Sequence, residues 1–141
     1  MTLTDLTLDE LNEQSKGSLM GALGIRYTLA TPDRVEAVMP VCANTRQPFG
    51  LLHGGATLAL AETVAGLGSM LACDGKPGAT VGMQVSGSHL GSARDGEEVR
   101  AIATPIHLGR RTHVWNVDVE NATTGAPISS IRVTNYVVRP A

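Results

Sequence analysis

One short stretch of the chain combines residue types that could act on a carbonyl group. Glu62 is the single carboxylate between Glu36 and Asp74, and it stands in a long apolar run. A charged group in such a run is costly unless it faces a polar cleft or a partner. Upstream, Gln47 and the sequence His53-Gly54-Gly55 supply an amide, an imidazole and glycine N–H groups. Glu62 is therefore a candidate functional carboxylate.

The glycines precede the apolar run, where a helix is expected to begin. Unpaired N–H groups and the positive end of the helix dipole meet there and can hold a carbonyl oxygen that gains negative charge. Glycine also allows a ligand to approach the backbone closely. Each feature alone fits a structural role, such as a helix-capping turn, a loop histidine, a surface glutamine or an ion-paired carboxylate. The combination favours a catalytic site.

Two rival chemistries have little support in the sequence. The four histidines are 36, 18 and 6 residues apart, without an H-E-x-x-H motif or paired carboxylates, so a metal hydrolase is disfavoured. A cysteine nucleophile would need Cys42 or Cys73 in an electropositive site near a histidine, and nothing in the sequence indicates such a site. These histidines are His53, His89, His107 and His113.

Composition limits the class of protein. The chain has 141 residues, of which 43% are hydrophobic, and a formal net charge of −2, which predicts one folded domain over 1–141. Only 3% of the residues are aromatic and no basic stripe is present, so a nucleic-acid surface is not expected. Two cysteines cannot form a disulfide framework, and we expect buried thiols in a cytoplasmic protein.

The hydrophobic pattern predicts helices first and strands later. Thr7 and Glu10 form a capping-box pattern that starts a short N-terminal helical segment within 1–17. A hairpin of two strands follows, and then one long helix, Gly54–Ala72. Four more strands are separated by glycine-rich or polar turns. The predicted strands cover 25–31, 34–41, 80–90, 97–108, 111–121 and 128–138.

These elements predict an α+β domain in which one antiparallel sheet of about six strands wraps the long central helix. Consecutive strands joined by short turns are expected to be neighbours in the sheet. The helix is apolar nearly all round, but Glu62 and its glycines make it a poor membrane span. We therefore expect no membrane interaction. Apolar surface that the sheet leaves uncovered predicts a homo-oligomer.

The motif residues resemble the hotdog-fold acyl-CoA thioesterases of the 4-hydroxybenzoyl-CoA and 1,4-dihydroxy-2-naphthoyl-CoA type. The resemblance lies in the spacing Gln-x5-His-Gly-Gly-x6-Glu and extends along nearly the whole chain. It implies a hotdog fold. The further matching residues are Gly82, His89, Ser92-Ala93-Arg94, Pro105-Ile106-His107-Leu108-Gly109-Arg110 and Val114-Trp115.

The resemblance also implies roles for individual residues. Glu62 would act as general base on water or as nucleophile through an anhydride, and the Gly54 N–H would bind the thioester oxygen. Gln47 and His53 would lie around the thioester or the water. No cofactor is implied, because coenzyme A is part of the substrate. The coenzyme A contacts would be Gly82, His89, Leu90, Gly91, Ser92, His107, Leu108, Gly109, Arg110, Arg111 and Thr112.

Two positions depart from the family pattern. Position 66, one helical turn after Glu62, is Gly where relatives often have Ser or Thr, so a contact is missing or comes from elsewhere, for example from Thr63. Position 91 is Gly where a close relative type would offer Arg. Binding of the nucleotide would then depend on other arginines, namely Arg94, Arg110 and Arg111.

Helix geometry predicts a site shared by two subunits. Gly54 and Glu62 lie eight residues apart, roughly 12 Å along the axis at 1.5 Å per residue. One thioester needs both groups within about 3–3.5 Å of its reacting atoms. We therefore expect Gln47, His53 and Gly54 from one chain and Glu62 from its neighbour, in a dimer or a dimer of dimers. A tetramer is favoured because it is common in the family.

The resemblance favours an aromatic acyl-CoA substrate over a long-chain one. The acyl pocket is expected to be apolar and of moderate size. Two alternatives remain at this stage, a non-catalytic acyl-CoA binding module and a purely structural subunit. The expected acyl-pocket residues are Phe49, Leu51, Val64 and Met83.

Overall fold

The computed structural model describes residues 2–138, so residue 1 and residues 139–141 of the predicted domain lie outside the described residues. The elements come in the predicted order, with two additional short helices before the first strand. These elements are a 3-10 helix (Leu3–Asp5), α1 (Leu8–Gln14), α2 (Leu19–Leu23), β1 (Arg26–Thr31), β2 (Arg34–Pro40), α3 (Gly54–Ala72), β3 (Thr80–His89), β4 (Glu98–Leu108), β5 (Thr112–Asn121) and β6 (Pro127–Val137).

The capping box at the N-terminus is confirmed. The Thr7 hydroxyl accepts from the Glu10 N–H at 3.2 Å, and the Glu10 carboxylate accepts from the Thr7 N–H at 3.3 Å. Helix α2, which lies beyond the predicted N-terminal segment, was not expected. It is flanked by Gly17 and Gly24, both at positive φ, and none of its residues is buried. A short helix between two glycine turns has no period long enough to detect in sequence.

Helix α3 forms the axis of the domain, as predicted. It is long and apolar enough to span a membrane by composition. The six-stranded antiparallel sheet instead packs around it, with β5 and β6 directing alternate residues inward. Trp115 of β5 is fully buried against Gly68 of α3. One stripe of α3 stays partly uncovered, and it contains Gly55, Ala59, Glu62 and Gly66. This stripe carries the predicted carboxylate.

The predicted strand order was wrong at one place. The sheet order is β1-β2-β4-β5-β6-β3, so β3 lies at an edge beside β6 and does not pair with β4. The segment 90–97 is therefore a crossover between strands that are not neighbours. It pairs with the loop before α3, where the Leu52 N–H donates to the Ala93 carbonyl at 2.8 Å. Short connections favour neighbouring strands but do not require them.

We expect opposite effects from alanine at two glycines of α3. A Cβ on Gly68 would lie 2.5 Å from the Trp115 ring, whereas a Cβ on Gly66 would meet nothing within 4 Å. Gly68→Ala should therefore lower the free energy of unfolding by about 1–3 kcal/mol through overpacking. Gly66→Ala should raise it by about 0.5–1 kcal/mol through helix propensity. Urea unfolding at one protein concentration measures both, and equal midpoints would contradict this packing.

Candidate active site

The corner at the start of α3 presents an unused backbone donor. His53 is the N-cap residue, and its Nδ1 accepts from the Gly55 N–H at 2.8 Å. The N–H groups of Leu52 and His53 are bonded to carbonyls of other segments. The Gly54 N–H has no acceptor among residues 2–138. It is therefore available to a ligand oxygen at the positive end of the helix dipole.

His89 of β3 lies directly beside this corner. Its Nδ1 is 2.7 Å from the Ser129 hydroxyl. A Cβ on Gly54 would lie 2.7 Å from His89 Nε2, so this close approach requires glycine at position 54. The space beside the two residues is small, about 130 Å³. Its lining residues are Leu52, Gly54, Thr57, His89, Gly91, Ser92 and Ile128.

Gln47 orders the loop that leads to the corner. Its side-chain oxygen accepts from the Phe49 N–H at 2.5 Å and from the Leu51 N–H at 3.3 Å. Its side-chain amide N–H groups donate to no residue that the structure describes. Within one subunit, Gln47 thus shapes the turn and keeps donors for a further partner.

Glu62 lies in a separate pocket, farther along α3. Its side chain is exposed, and its carboxylate forms no ion pair or hydrogen bond with residues 2–138. Across the pocket, Glu62 Oε1 is 3.2 Å from where a Cβ on Gly82 would stand. The pocket has a volume of about 280 Å³ and opens to solvent. Its lining residues are Leu19, Ala59, Glu62, Thr63, Gly66, Gly82 and Asn135.

The two secondary candidates both line the Glu62 pocket. The Thr63 hydroxyl donates to the Ala59 carbonyl at 2.8 Å, so its proton is used within the helix. Gly66 leaves open space, because a Cβ there would meet nothing within 4 Å. Neither residue places a free hydroxyl proton beside Glu62.

A buried polar network behind the Glu62 pocket was not predicted. Ser69 accepts from the Trp115 Nε1–H at 2.8 Å and from the Asn135 Nδ2–H at 2.9 Å, and it is 3.0 Å from His113 Nδ1. Burial, and to a lesser extent the nearby His107, lowers the pKa of His113 below its ordinary value, which favours the neutral ring. In the sequence, the sign of this network is that His113 and Asn135 are polar residues at positions of β5 and β6 whose side chains point inward.

The predicted coenzyme A contacts fall into two groups at opposite ends of the sheet. The run 89–92 lies beside Gly54, where His89 pairs with Ser129. The run 107–112 lies at the other end, where Thr112 pairs with Tyr136, one residue from the partner of Gly82. Ser129 and Tyr136 are seven residues apart along β6, roughly 24 Å at 3.4 Å per residue. One subunit therefore keeps the two groups apart.

The glycine at position 91 has a local structural reason. A Cβ there would lie 2.5 Å from the Pro127 carbonyl oxygen, a backbone atom that cannot easily move. An arginine at this position would not fit the present backbone. The other predicted arginines, Arg94, Arg110 and Arg111, are exposed.

The predicted acyl-pocket residues do not lie together. Val64 is fully buried in the core, so its prediction as a lining residue was wrong. Phe49 is 87% exposed on the loop before α3, and Met83 is 60% exposed on β3. Leu51 is half-buried and bridges to Arg94. In this subunit Leu19 and Ala59 form the apolar wall beside Glu62 instead.

Neither cysteine takes part in the candidate site. Cys42 and Cys73 form no disulfide. Both are only partly buried, so the prediction of buried thiols was wrong. Within residues 2–138, no three histidine, cysteine, aspartate or glutamate residues are grouped so that they could hold a metal ion.

Sequence comparison shows similarity to thioesterases over most of the chain. The family model of the thioesterase superfamily matches residues 49–128. The 1,4-dihydroxy-2-naphthoyl-CoA hydrolase of Escherichia coli is 41% identical over 114 residues, which cover 81% of this chain and 82% of the relative. The proofreading thioesterase EntH of Cronobacter turicensis is 45% identical over 113 residues, covering 79% and 80%.

Structural comparison agrees. A crystal structure of a thioesterase from Haemophilus influenzae matches with a TM-score of 0.88 at 37% sequence identity, covering 98% of this chain and 94% of that chain. The resemblance that the motifs indicated and the expected hotdog architecture are both confirmed.

Proposed function

Because the chain belongs to the thioesterase superfamily, and is thus a thioester hydrolase, we propose that it hydrolyses an aromatic acyl-CoA to the free acid and coenzyme A. The observation that carries this proposal is the carboxylate of Glu62. It is the single charged residue of α3, it is unpaired among residues 2–138, and it faces an open pocket. A carboxylate that stands alone on an apolar helix and faces a pocket fits a functional role.

In the proposed reaction, Glu62 acts as general base. It takes a proton from water while the water oxygen bonds to the thioester carbon. The carbonyl oxygen becomes negative and accepts from the Gly54 N–H. The carbon–sulfur bond then breaks, and the thiolate of coenzyme A leaves and takes up the proton. A nucleophilic Glu62 would instead form an anhydride with the acyl group. If water then attacks the Glu62 carboxyl carbon, a single turnover in H₂¹⁸O places ¹⁸O in the Glu62 carboxylate.

The site is completed by a second subunit in this proposal. Gly54 and Glu62 are about 12 Å apart along α3, too far for one carbonyl carbon. Each chain thus provides one Gly54 corner and one Glu62 pocket. Two-fold symmetry would give two equivalent sites per dimer.

Strand β3 is the edge through which we propose that the subunits pair. Its outer side has no neighbouring strand in residues 2–138, and Val81 and Met83 are at least half exposed. A bulge interrupts β3 between Gly82 and Gln84. Antiparallel pairing about a two-fold axis near Ser86 would set Met83 beside the partner's His89. The Glu62 pocket of one subunit would then meet the Gly54 corner of the other.

An aromatic acyl group is supported by similarity to a naphthoyl-CoA hydrolase and by the apolar wall of Leu19 and Ala59. Assembly as a dimer of dimers and a cytoplasmic location are parts of the same proposal.

A thiol-release assay with benzoyl-CoA, 2-naphthoyl-CoA and palmitoyl-CoA tests the proposal. We expect kcat/KM for the aromatic thioesters to exceed that for palmitoyl-CoA by at least about tenfold, because a mismatch of a single methylene in an apolar pocket already costs about 10- to 200-fold. Binding of coenzyme A thioesters without release of thiol would instead identify a non-catalytic binding module. A protein that neither binds nor hydrolyses them would be a structural subunit.

A further inference from the structure

Asn135 occupies an unusual position in the Glu62 pocket. It lies on β6 with its side chain directed toward α3, and it is only 2% exposed. Its Nδ2 donates to the Ala65 carbonyl at 3.2 Å and to the Ser69 hydroxyl at 2.9 Å. A backbone carbonyl can only accept, so these bonds fix which end of the amide is Nδ2. The other end, Oδ1, is therefore the acceptor.

The hydrogen-bond capacity of Ser69 locks this orientation. The Ser69 oxygen accepts from both Trp115 and Asn135, which uses its two lone pairs. Its own proton must then be donated to His113 Nδ1. Asn135 cannot flip, because its Oδ1 would then face the Ala65 carbonyl oxygen, and two acceptors cannot form a hydrogen bond.

The Oδ1 atom of Asn135 has no protein partner. No residue from 2 to 138 donates to it, and no unpaired side-chain oxygen or nitrogen in this range is sealed from solvent. The space that Asn135 lines is the pocket with Glu62 and Gly66. A Cβ on Gly66 would meet nothing within 4 Å, so the pocket that Glu62 and Asn135 both line is open at this position.

We propose that Asn135 is a positioning residue that holds the nucleophilic water beside Glu62. One O–H of the water donates a hydrogen bond to the Glu62 carboxylate, and the other O–H donates a hydrogen bond to Asn135 Oδ1. Its remaining lone pair then faces the thioester carbon. This inference rests on the proposed thioesterase function. In this proposal Asn135, from β6, makes the contact with the water that a hydroxyl at position 66 would otherwise make.

The test compares kcat and KM of Asn135→Leu with those of the wild type. We expect kcat to fall about 10- to 100-fold, the effect of misplacing a reacting group by about 1 Å, with KM within threefold. The assay uses benzoyl-CoA and 2-hydroxybenzoyl-CoA. An equal loss with both supports positioning of water, whereas a loss confined to the hydroxylated substrate would mean that Asn135 binds the acyl group, which overturns the proposal.

Rescue separates positioning from a merely structural role. Gly66→Ser in the Asn135→Leu background places a hydroxyl acceptor in the open space and should recover at least tenfold in kcat. Gly66→Ala in that background should recover nothing. Ser69→Ala removes one of the two acceptors that hold Asn135 Nδ2, so it should lower Tm and reduce kcat less than Asn135→Leu does. If Asn135→Leu does not fold, Asn135→Ala replaces it in every comparison.

Failure of this inference differs from failure of the proposed function. An active wild type with an equally active, folded Asn135→Leu overturns the inference alone. The same holds if Gly66→Ala rescues as well as Gly66→Ser does. A wild type that releases no coenzyme A from either thioester overturns the proposed function and this inference with it.

Discussion

Replacing Glu62 with Gln should lower kcat by about 10²- to 10⁴-fold, the usual contribution of a positioned base. Glutamine keeps the size of the side chain but cannot take a proton from water. Since Glu62 is exposed and unpaired in the subunit, the substitution should leave the fold intact. Thiol release from an aromatic acyl-CoA measures kcat, and the urea midpoint checks stability.

A matched control is Glu36→Gln. Glu36 is also a carboxylate, but it forms ion pairs with Arg34 and Arg100 on the sheet, away from the pocket. Its replacement should change kcat less than twofold. If Glu62→Gln and Glu36→Gln had similar rates, the catalytic role of Glu62 would be excluded.

Removing the Gly54 N–H should reduce kcat by about 10²- to 10³-fold, as for the loss of one oxyanion donor. Gly54→Pro removes that N–H at the first helical position, where proline is well tolerated. The preceding residue, His53, already has φ −71° and ψ 130°, which suits a residue before proline. Steady-state thiol release measures the loss.

Gly54→Ala is the control for bulk. Both variants add a Cβ that pushes against His89, but alanine keeps the N–H. The ratio of kcat between the two variants therefore measures the contribution of the N–H donor at position 54. A ratio near one would mean that the loss comes from crowding at His89.

Mixing the two inactive chains tests the shared site. In a heterodimer of Glu62→Ala with Gly54→Pro, one of the two composite sites has both functional groups. Heterodimers should therefore show half of the wild-type activity, and a randomly mixed sample about a quarter, by the two-fold symmetry. Isolated heterodimers with no activity would show that each chain builds its site alone.

The boundaries of most elements could be predicted from local sequence. Helix α3 starts at Gly54 after His53 and ends at Ala72 before a polar, glycine-containing turn, as the pattern indicated. The strands ended at turn residues. The neighbour of β3 could not be predicted, because pairing with β6 depends on contacts about fifty residues apart in sequence.

The candidate site was predictable only in part. Glu62 and Gly54 stand out because a charge and glycines interrupt an apolar pattern. Asn135 does not stand out, since its place in the inward register becomes visible only when β6 is paired with β5 and β3. Its role depends on Ser69 and on the empty space at Gly66, two features on another element.

The position of β3 also sets the order of events during synthesis. β3 is made before β4, β5 and β6, yet its neighbour in the sheet is β6, which ends at Val137. A growing chain must carry β3 without a partner strand until nearly all 141 residues have left the ribosome. The state in which one edge of β3 is paired and the other is left for a second subunit can therefore form only after β6 has emerged.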